Sequence, residues 1–330
     1  MNKIHRFFFL SFILLMIGMG LNAQTALETG MHNINKKSAR EYIGVLASDS
    51  LNGRKTGTEY ARKAANYIVE QLQRIGVKPL NGNYLYEYDD VKIRYYVRKE
   101  KKVIPQETTI SVQNVMAVIP GIDIGEYVLI GAHYDHLGSG GFRVTATDSI
   151  FNGANDNASG VAGVLQIAEA FVKSGKQPLR TVIFAFWDAE ERGLLGSQKF
   201  VDTCEYIDKI KAHINLDMIA RGELNHSIFA CLEDDGKFAE RMKADVNLYN
   251  INLDMLYKVG KLPPNSDHAP FAKKGIPVAY FFTGADPDYH SVSDEFDKLN
   301  WNKTVEITKA AYLTLLHMAN EIGFDSVRRK

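Results

Sequence analysis

Histidine and acidic residues follow several apolar, strand-like segments of this sequence, and both residue types bind divalent metals. Imidazole and carboxylate groups are ligands of zinc and of related ions. Ligand sites in open α/β sheets lie outside the carboxyl ends of the strands, so side chains at several strand ends can converge on one edge of the sheet. The candidate residues are His133, Asp156, Glu190, Glu191, Asp217 and His290.

Each candidate alone has a commoner structural explanation. His133 could be a core histidine, Asp156 could cap the helix that starts beside it, and Asp217 could be a buried, hydrogen-bonded aspartate. Asp135 favours the metal interpretation, because a carboxylate two residues after His133 can accept the imidazole N–H and fix its tautomer. The joint pattern is much harder to explain by chance and predicts a metal centre.

The pair Glu190-Glu191 follows an apolar, strand-like segment. Arg180 to Phe186 is rich in β-branched and aromatic residues and predicts a buried central strand. A lone Glu-Glu pair is most often a solvated loop. At the end of a central strand, however, two carboxylates are costly unless a cation or an acid–base reaction uses them.

Strands and helices alternate over the second half of the chain. This alternation predicts an α/β fold, a three-layer sandwich around a mostly parallel, mixed central sheet. The predicted strands are Tyr127–Ala132, Val182–Trp187, Ile214–Ile219, Ser227–Leu232 and Pro277–Phe282. The predicted helices are Ala158–Lys173, Gly236–Leu248, Ala269–Lys274 and Asn302–Ile322.

The first part of the chain has less regular patterning. Helical spacing predicts a helix over Asn35–Leu46, with Ser38 as a candidate cap. An amphipathic helix is expected over Glu59–Ile75, closed by Gly76. The polar, strand-like segment Tyr84–Val115 contains a charged stretch at 98–102, which suggests a hairpin turn. No linker marks a second domain, so residues 24–330 are predicted to form a single catalytic domain.

Composition places the chain among ordinary globular proteins. It has 330 residues and a formal net charge of zero at neutral pH, which gives no sign of a nucleic-acid or membrane partner. Outside the first 23 residues it has two cysteines, Cys204 and Cys231. They could pair in an oxidising compartment or remain buried as small hydrophobic residues, and no catalytic role is expected for them.

The N-terminus has the pattern of a secretory signal. Lys3, His5 and Arg6 precede a nearly continuous apolar run, Phe7–Gly20, and small residues follow up to residue 23. The apolar run is short for a membrane span. We therefore expect residues 1–23 to be a signal peptide, and the mature protein to be periplasmic or secreted without a stable membrane span.

Several motifs, in this order along the chain, resemble those of the M28 metallopeptidases, the zinc aminopeptidase group. The similarity runs from about Lys37 to the C-terminus. The motifs are Gly131–Asp135, Asn152–Gly160, Trp187–Ser197, Asn215–Ile219, Ser266–Phe271 and Asp288–Ser291, with Gly53-Arg54 and Gly57-Thr58 similar to the family's N-terminal pattern. The resemblance implies a zinc peptidase fold of the phosphorylase/hydrolase-like type.

The resemblance also implies a role for each candidate residue. Asp156 would bridge two zinc ions; His133 and Asp217 would complete one site, and Glu191 and His290 the other. Glu190 would be the general base, Asp135 would orient His133, and Tyr289 would place a hydroxyl near the reacting carbonyl. The peptide bond between Asp156 and Asn157 would be cis, as it is in the family.

The implied function is that of an aminopeptidase, which hydrolyses N-terminal residues from peptides with a free N-terminus. One alternative is a glutaminyl-peptide cyclotransferase of the same fold, which uses a single zinc and usually has Trp where this chain has Tyr289. A second alternative is a non-catalytic, metal-free binding module, against which the intact ligand set argues. Among the other histidines, His268 is expected to be structural or at the rim of the site. Packing or surface positions are expected for His136, His213, His226 and His317.

Overall fold

The computed structural model describes residues 27–99, 102–141, 143–224, 227–231, 237–260 and 262–321. The helices are α1 Lys36–Leu46, α2 Glu59–Ile75, α3 Gly160–Ser174, α4 Leu195–Thr203, α5 Lys237–Leu248, α6 His268–Lys273 and α7 Trp301–Asn320. Shorter helical turns are Asp49–Arg54, Ala154–Ser159, Ile207–Lys209 and Phe296–Lys298, and residues 27–33 are also helical. The strands are β1 Lys78–Pro79, β2 Leu85–Lys99, β3 Lys102–Ile119, β4 Asp123–His133, β5 Gly138–Ser139, β6 Ile150–Phe151, β7 Arg180–Trp187, β8 Ile210–Leu216, β9 Ser227–Cys231, β10 Met255–Val259 and β11 Val278–Phe282.

A mixed sheet forms the centre of the molecule. Its strand order is β1-β3-β7-β4-β8-β11-β9-β10, and β2 pairs with β3. The four central strands, β7, β4, β8 and β11, are parallel to one another, whereas β3 pairs antiparallel with β7 and β9 pairs antiparallel with β11. The predicted α/β class with a mixed sheet and a parallel centre is confirmed.

Helices cover both faces of this sheet, because its central strands are apolar on both sides. Every residue of β7 is buried. Along β7 the side chains alternate between faces, as a pleated strand requires. Val182, Phe184 and Phe186 pack with α1, α2, α3 and α7, while Ile183 and Trp187 pack with α4 and α6 on the opposite face. The result is the predicted three-layer sandwich.

Helix boundaries follow the predictions closely, with one wrong cap. Asn35, not Ser38, caps α1, since its side-chain oxygen accepts hydrogen bonds from the backbone N–H groups of Lys37 and Ser38. The Ser38 hydroxyl instead contacts the buried amide of Gln166 on α3. Gly76 ends α2 in the left-handed conformation, as predicted.

The polar segment Tyr84–Val115 forms a long hairpin of β2 and β3, and β3 extends to Ile119. Of the stretch 98–102 predicted as the turn, residues 98, 99 and 102 belong to the paired strands, and residues 100–101 lie outside the described residues. Val91 and Val112, at the base of the hairpin, pack against Ala189, which directly precedes the Glu190-Glu191 pair. The hairpin therefore supports one side of the candidate site.

The elements that were not predicted are α4, β10, the two-residue strands β1, β5 and β6, the short helical turns and the helical segment at 27–33. The predicted signal peptide and His226 lie outside the described residues, and the single domain over 24–330 stays a prediction. Among the helices of the described residues, none is sufficiently long and apolar to span a membrane. Cys204 is a free thiol.

Candidate metal centre and active site

Four of the candidate residues lie at or just beyond the carboxyl ends of parallel strands, and the other two, Asp156 and His290, lie on loops that reach the same edge of the sheet. His133 is the last residue of β4, Asp217 directly follows β8, and the Glu190-Glu191 pair follows β7. The chain leaves β4 towards β7 on one side and later reaches β8 on the other side of β4. Such a reversal of strand order opens a crevice at the carboxyl ends of the strands, which is where α/β proteins bind ligands.

Three of the candidates form a first buried group around His133. Its Nε2 atom lies 3.4 Å from Asp156 Oδ1 and 3.4 Å from Asp217 Oδ1. One ligand atom from each of the three residues lies within 4.8 Å of the others. This spacing leaves room for an ion between the three atoms.

A second group uses the other oxygen of Asp156. His290 Nε2 lies 3.3 Å from Asp156 Oδ2 and 3.1 Å from Glu191 Oε2. The two oxygens of the Asp156 carboxylate thus face different groups, one around His133 and one around His290. This is the arrangement that a carboxylate shared by two cations requires.

The donor set fits zinc. Imidazole nitrogens and carboxylate oxygens are common zinc ligands. Asp217 Oδ1 is buried and makes no hydrogen bond to the described residues, while Ser266 Oγ donates to its Oδ2 at 2.7 Å. A buried carboxylate oxygen without a partner is costly unless a cation binds it, so Asp217 is oriented for a metal.

The loop that carries Asp156 is fixed by hydrogen bonds to neighbouring segments. Asp294 accepts hydrogen bonds from the backbone N–H groups of Asn155 and Asp156. The amide of Asn157 donates to Leu216 O, at the end of β8, and accepts from Met218 N. The peptide bond between Asp156 and Asn157 is cis, as the resemblance implied. Sequence reasoning missed Asp294, because nothing in its local pattern relates it to a loop 138 residues earlier.

The loop that carries His290 is tied to the Asp156 loop. Asn155 Nδ2 donates to Asp286 Oδ2 at 3.0 Å, and Arg221 forms an ion pair with Asp288. Tyr289 is 38% exposed, and its ring stacks on that of His290 with 3.9 Å between centroids. Tyr289 thus lies at the open side of the group around His290, where a substrate can reach it.

Arg54 is a buried cation beside this acidic centre. Its guanidinium donates hydrogen bonds to the carbonyl oxygens of Leu46, Tyr134, Asn152 and Gly153. Burial lowers the pKa of Arg54 to about 10, although the charges of Asp156 and Asp294 favour its charged form. It joins the segment after β4 to the start of the Asp156 loop. The only sign of it in the sequence was the Gly53-Arg54 pair.

Asp135 holds the backbone of the Glu190-Glu191 pair. Its carboxylate accepts hydrogen bonds from Glu190 N at 3.0 Å and from Glu191 N at 3.4 Å. The distance from Asp135 Oδ1 to His133 Nδ1 is 3.7 Å, which is beyond hydrogen-bond range, and the nearer acceptor for His133 Nδ1 is the Asp135 carbonyl oxygen at 3.3 Å. In this geometry the Asp135 carboxylate fixes the backbone of the two glutamates, whereas His133 Nδ1 contacts the Asp135 carbonyl oxygen and not, as predicted, its carboxylate.

The two glutamates have different surroundings. The Glu191 side chain contacts His136 and His290. Burial raises the pKa of the Glu191 carboxyl, but hydrogen bonds from these two imidazoles outweigh it and hold that pKa well below its usual range. Burial, together with the carboxylates of Asp267 and Asp217, raises the pKa of Glu190 to about 10. Glu190 is the proton-holding member of the pair in the absence of a cation.

His136 was predicted to be a packing or surface residue, and its position is different. Its side chain is buried, and its Nδ1 atom lies 2.8 Å from Glu191 Oε1, within a group of possible metal ligands that also includes Asp156. Its position three residues after His133, beyond the end of β4, could have indicated that His136 contacts the candidate site.

His268, expected to be structural, is buried, stacks on Tyr280 and contacts Pro263 O. His213 is buried against Phe271, as a packing histidine would be. His317, on α7, forms an ion pair with Asp245 on α5.

Comparisons with known proteins support a common ancestry for this arrangement. The model of peptidase family M28 matches residues 114–315. Leucine aminopeptidase 2 of Arthroderma otae is 27% identical over 243 residues, covering 64% of this chain and 46% of that protein. The chain spans between about a third and a half of the length of such curated relatives.

Solved structures show the same fold. A zinc aminopeptidase from Bacillus subtilis superimposes with a TM-score of 0.69 at 16% identity, over 89% of this chain and 98% of that one. Porphyromonas gingivalis glutaminyl cyclase superimposes with a TM-score of 0.62 at 20% identity, over 85% and 97%. The family match covers more than half of the chain and includes every candidate ligand, and the chain belongs to peptidase family M28.

Proposed function

We propose that this protein is a zinc-dependent aminopeptidase that binds two zinc ions. The observation that carries the proposal is the division of the Asp156 carboxylate between two ligand groups. His133 and Asp217 face one oxygen, and His290 and Glu191 lie beside the other.

Each ion would be held by three residues, with Asp156 common to both. His133 and Asp217 would hold one ion, and Glu191 and His290 the other. When bound, the zinc ions would supply Lewis acidity, which would lower the pKa of a water molecule towards neutrality and polarise a peptide carbonyl.

Glu190 would act as the general base. It follows β7 directly beside the ligand Glu191, and its backbone is fixed by Asp135. Its carboxylate would accept a proton from the attacking water and return it to the leaving amine. Its high pKa without a cation, about 10, is consistent with a carboxyl that can hold that proton between the two steps.

Tyr289 would assist at the carbonyl oxygen. Its ring is stacked on His290 at the open side of the site, and its hydroxyl would donate a hydrogen bond to the oxyanion of the tetrahedral intermediate. Burial next to Asp156 and Glu191 raises the pKa of Tyr289 well above its usual range, so the hydroxyl keeps its proton and remains a donor.

A peptide with a free N-terminus is the substrate class that this charge distribution favours. The site contains the carboxylates of Asp156, Glu190, Glu191 and Asp217 within one crevice. Three of them would offset the charge of the zinc ions, and the Glu190 carboxylate, which is not a proposed ligand, would be left to interact with a substrate ammonium. An N-acetylated peptide has no such charge.

The substrate panel that tests the proposal has three members: an unblocked leucyl anilide, its N-acetylated form and a peptide with N-terminal glutamine. We expect hydrolysis of the first, at least about 100-fold slower hydrolysis of the second, and release of free glutamine from the third. Cyclisation of the glutamine peptide without hydrolysis of the anilide would assign the chain to the glutaminyl cyclases instead. Equal hydrolysis of the acetylated and free anilides would contradict the aminopeptidase assignment.

We also propose that the protein is exported, with a signal peptide over residues 1–23, so that it acts on peptides in the periplasm or outside the cell. The support is the sequence pattern of charged residues followed by an apolar run.

A further inference from the structure

His136 is the one buried histidine in direct contact with a candidate ligand, among the described residues, to which the proposed mechanism gives no task. Its Nδ1 atom lies 2.8 Å from Glu191 Oε1 and 3.9 Å from Asp156 Oδ2. The side chain has no solvent exposure, and its Nε2 atom has no hydrogen-bond partner among the described residues. Its one strong polar contact is therefore with Glu191.

The imidazole of His136 cannot readily turn away from this contact. Its backbone N–H donates to Arg54 O at 3.3 Å, which ties His136 to the buried arginine. On the other side, Gly153 packs closely against the ring, and a Cβ atom at position 153 would lie 2.5 Å from His136 Cδ2. Gly153 also has a φ of +57°, which other residues adopt only at a cost. The segment before Asp156 thus limits the space in which the ring can turn.

The Glu191 carboxylate is divided between two histidines in the same way that Asp156 is divided between two ligand groups. Oε1 faces His136 Nδ1 at 2.8 Å, and Oε2 faces His290 Nε2 at 3.1 Å. A carboxylate only accepts hydrogen bonds, so His136 Nδ1 must carry the proton in this contact. Nδ1 would bind a metal only after losing this proton, and substitutions at position 136 separate that role from hydrogen bonding to Glu191.

We propose that His136 is a positioning residue that fixes the Glu191 carboxylate by an Nδ1–H hydrogen bond, so that Oε2 is presented to the metal site shared with His290 and Asp156. This inference rests on the proposed metal centre. Free glutamate side chains lose rotamer entropy when a metal immobilises them, and a preformed hydrogen bond meets that cost in advance. Outer partners of metal ligands typically contribute about 10–100-fold in metal affinity.

Two amide substitutions at position 136 separate positioning from direct ligation. In His136→Asn the side-chain Nδ2–H₂ group lies near the place of Nδ1–H and can still donate to Glu191. In His136→Gln the amide lies near the place of Nε2, away from Glu191. His136→Ala removes the donor completely. Neither amide nitrogen can bind zinc in place of an imidazole.

The experiment is a chelator competition that measures the two zinc affinities of the wild type and of the three variants. We expect His136→Ala and His136→Gln to weaken one zinc site by about 10–100-fold and to leave the other within about threefold. His136→Asn should stay within about threefold of the wild type at both sites. Saturating zinc should restore two ions per chain in every variant.

Three results would overturn the inference. Loss of affinity in His136→Asn as large as in His136→Ala would show that the ring nitrogen itself binds the metal. Unchanged affinity in His136→Ala and His136→Gln would show that the hydrogen bond does not position Glu191. Equal loss of zinc affinity at both sites would indicate a general structural effect. If His136→Ala does not fold, the difference in zinc affinity between His136→Asn and His136→Gln still decides the question.

The measurement is independent of the catalysed reaction. If the wild type binds two zinc ions but hydrolyses no peptide, the aminopeptidase proposal fails while the role of His136 is still measured. If the wild type hydrolyses peptides and the variants bind zinc as tightly as the wild type does, the inference about His136 fails while the aminopeptidase proposal stands.

Discussion

Replacement of Glu190 by glutamine separates proton transfer from metal binding. The structure anchors Glu190 through its backbone N–H, which donates to Asp135 Oδ1 at 3.0 Å, and this contact does not depend on the side chain. Glutamine has nearly the same size and is neutral, and the metal-free site already favours a neutral side chain here, with a pKa of about 10. Glu190→Gln should therefore fold normally and keep both zinc ions.

The expected loss is in turnover. Without a carboxylate that accepts the proton of water, the turnover number should fall by about 10²–10⁴-fold, which corresponds to about 3–5.5 kcal/mol in activation free energy. Substrate binding should change little, so the loss should appear in kcat rather than in KM. The assay is steady-state hydrolysis of an unblocked aminoacyl anilide, together with the zinc content of the same dialysed sample.

Glu191→Gln is the matched control. Glu191 uses both oxygens, one towards His136 and one towards His290, so an amide at this position loses a charge and places an N–H₂ group against one of them. It should weaken one zinc site by at least roughly 10–100-fold, and added zinc should partly restore activity. Loss of zinc in Glu190→Gln with retention in Glu191→Gln would show that the two roles are exchanged. Full activity in both variants would remove this pair from the mechanism.

Three further predictions concern the same site and the start of the chain. Ser266→Ala removes the donor to Asp217 Oδ2 and should lower the affinity of one zinc site by about 10-fold in a chelator competition, whereas unchanged affinity would contradict this. Burial lowers the pKa of His290, but the carboxylates of Asp156 and Glu191 outweigh burial and raise that pKa to about 10. At pH 8 zinc must therefore displace a proton from the His290 imidazole. Calorimetry in buffers of different ionisation enthalpy should then show proton release, and zinc affinity should rise with pH up to about 10; pH-independent affinity would refute it. N-terminal sequencing of protein from the cell envelope or medium should begin near Gln24, and an intact N-terminus in the cytoplasm would contradict export.

The parts of the fold that depend on local pattern were predictable. The apolar run of β7 and the helical spacing of α2 predicted the first and last residues of these two elements to within two residues. The convergence of His133, Glu191 and Asp217 was predictable because each lies at or just beyond the end of a parallel strand, and parallel strands bring their carboxyl ends together. Their role as metal ligands stays a prediction. Even the division of roles between Glu190 and Glu191 needed only the family's motif order, and it still awaits the test described above.

What sequence reasoning missed is long-range hydrogen bonding. Asp294 and Arg54 hold the Asp156 loop from distant positions, and His136 was assigned to packing or to the surface although it contacts Glu191. A local pattern does not show which carbonyl oxygen or carboxylate a buried side chain will meet. The wrong cap of α1 has the same origin, since the Ser38 hydroxyl is engaged by Gln166 of another helix.

Diffraction from crystals grown with zinc, measured at the zinc absorption edge, tests the central claim most directly. The proposal predicts two anomalous peaks roughly 3.5–4 Å apart, on either side of the Asp156 carboxylate, one beside His133 and Asp217 and the other beside Glu191 and His290. A single peak beside Glu191 and His290, with Asp217 making no contact to a metal, would contradict the two-zinc aminopeptidase and favour a glutaminyl cyclase.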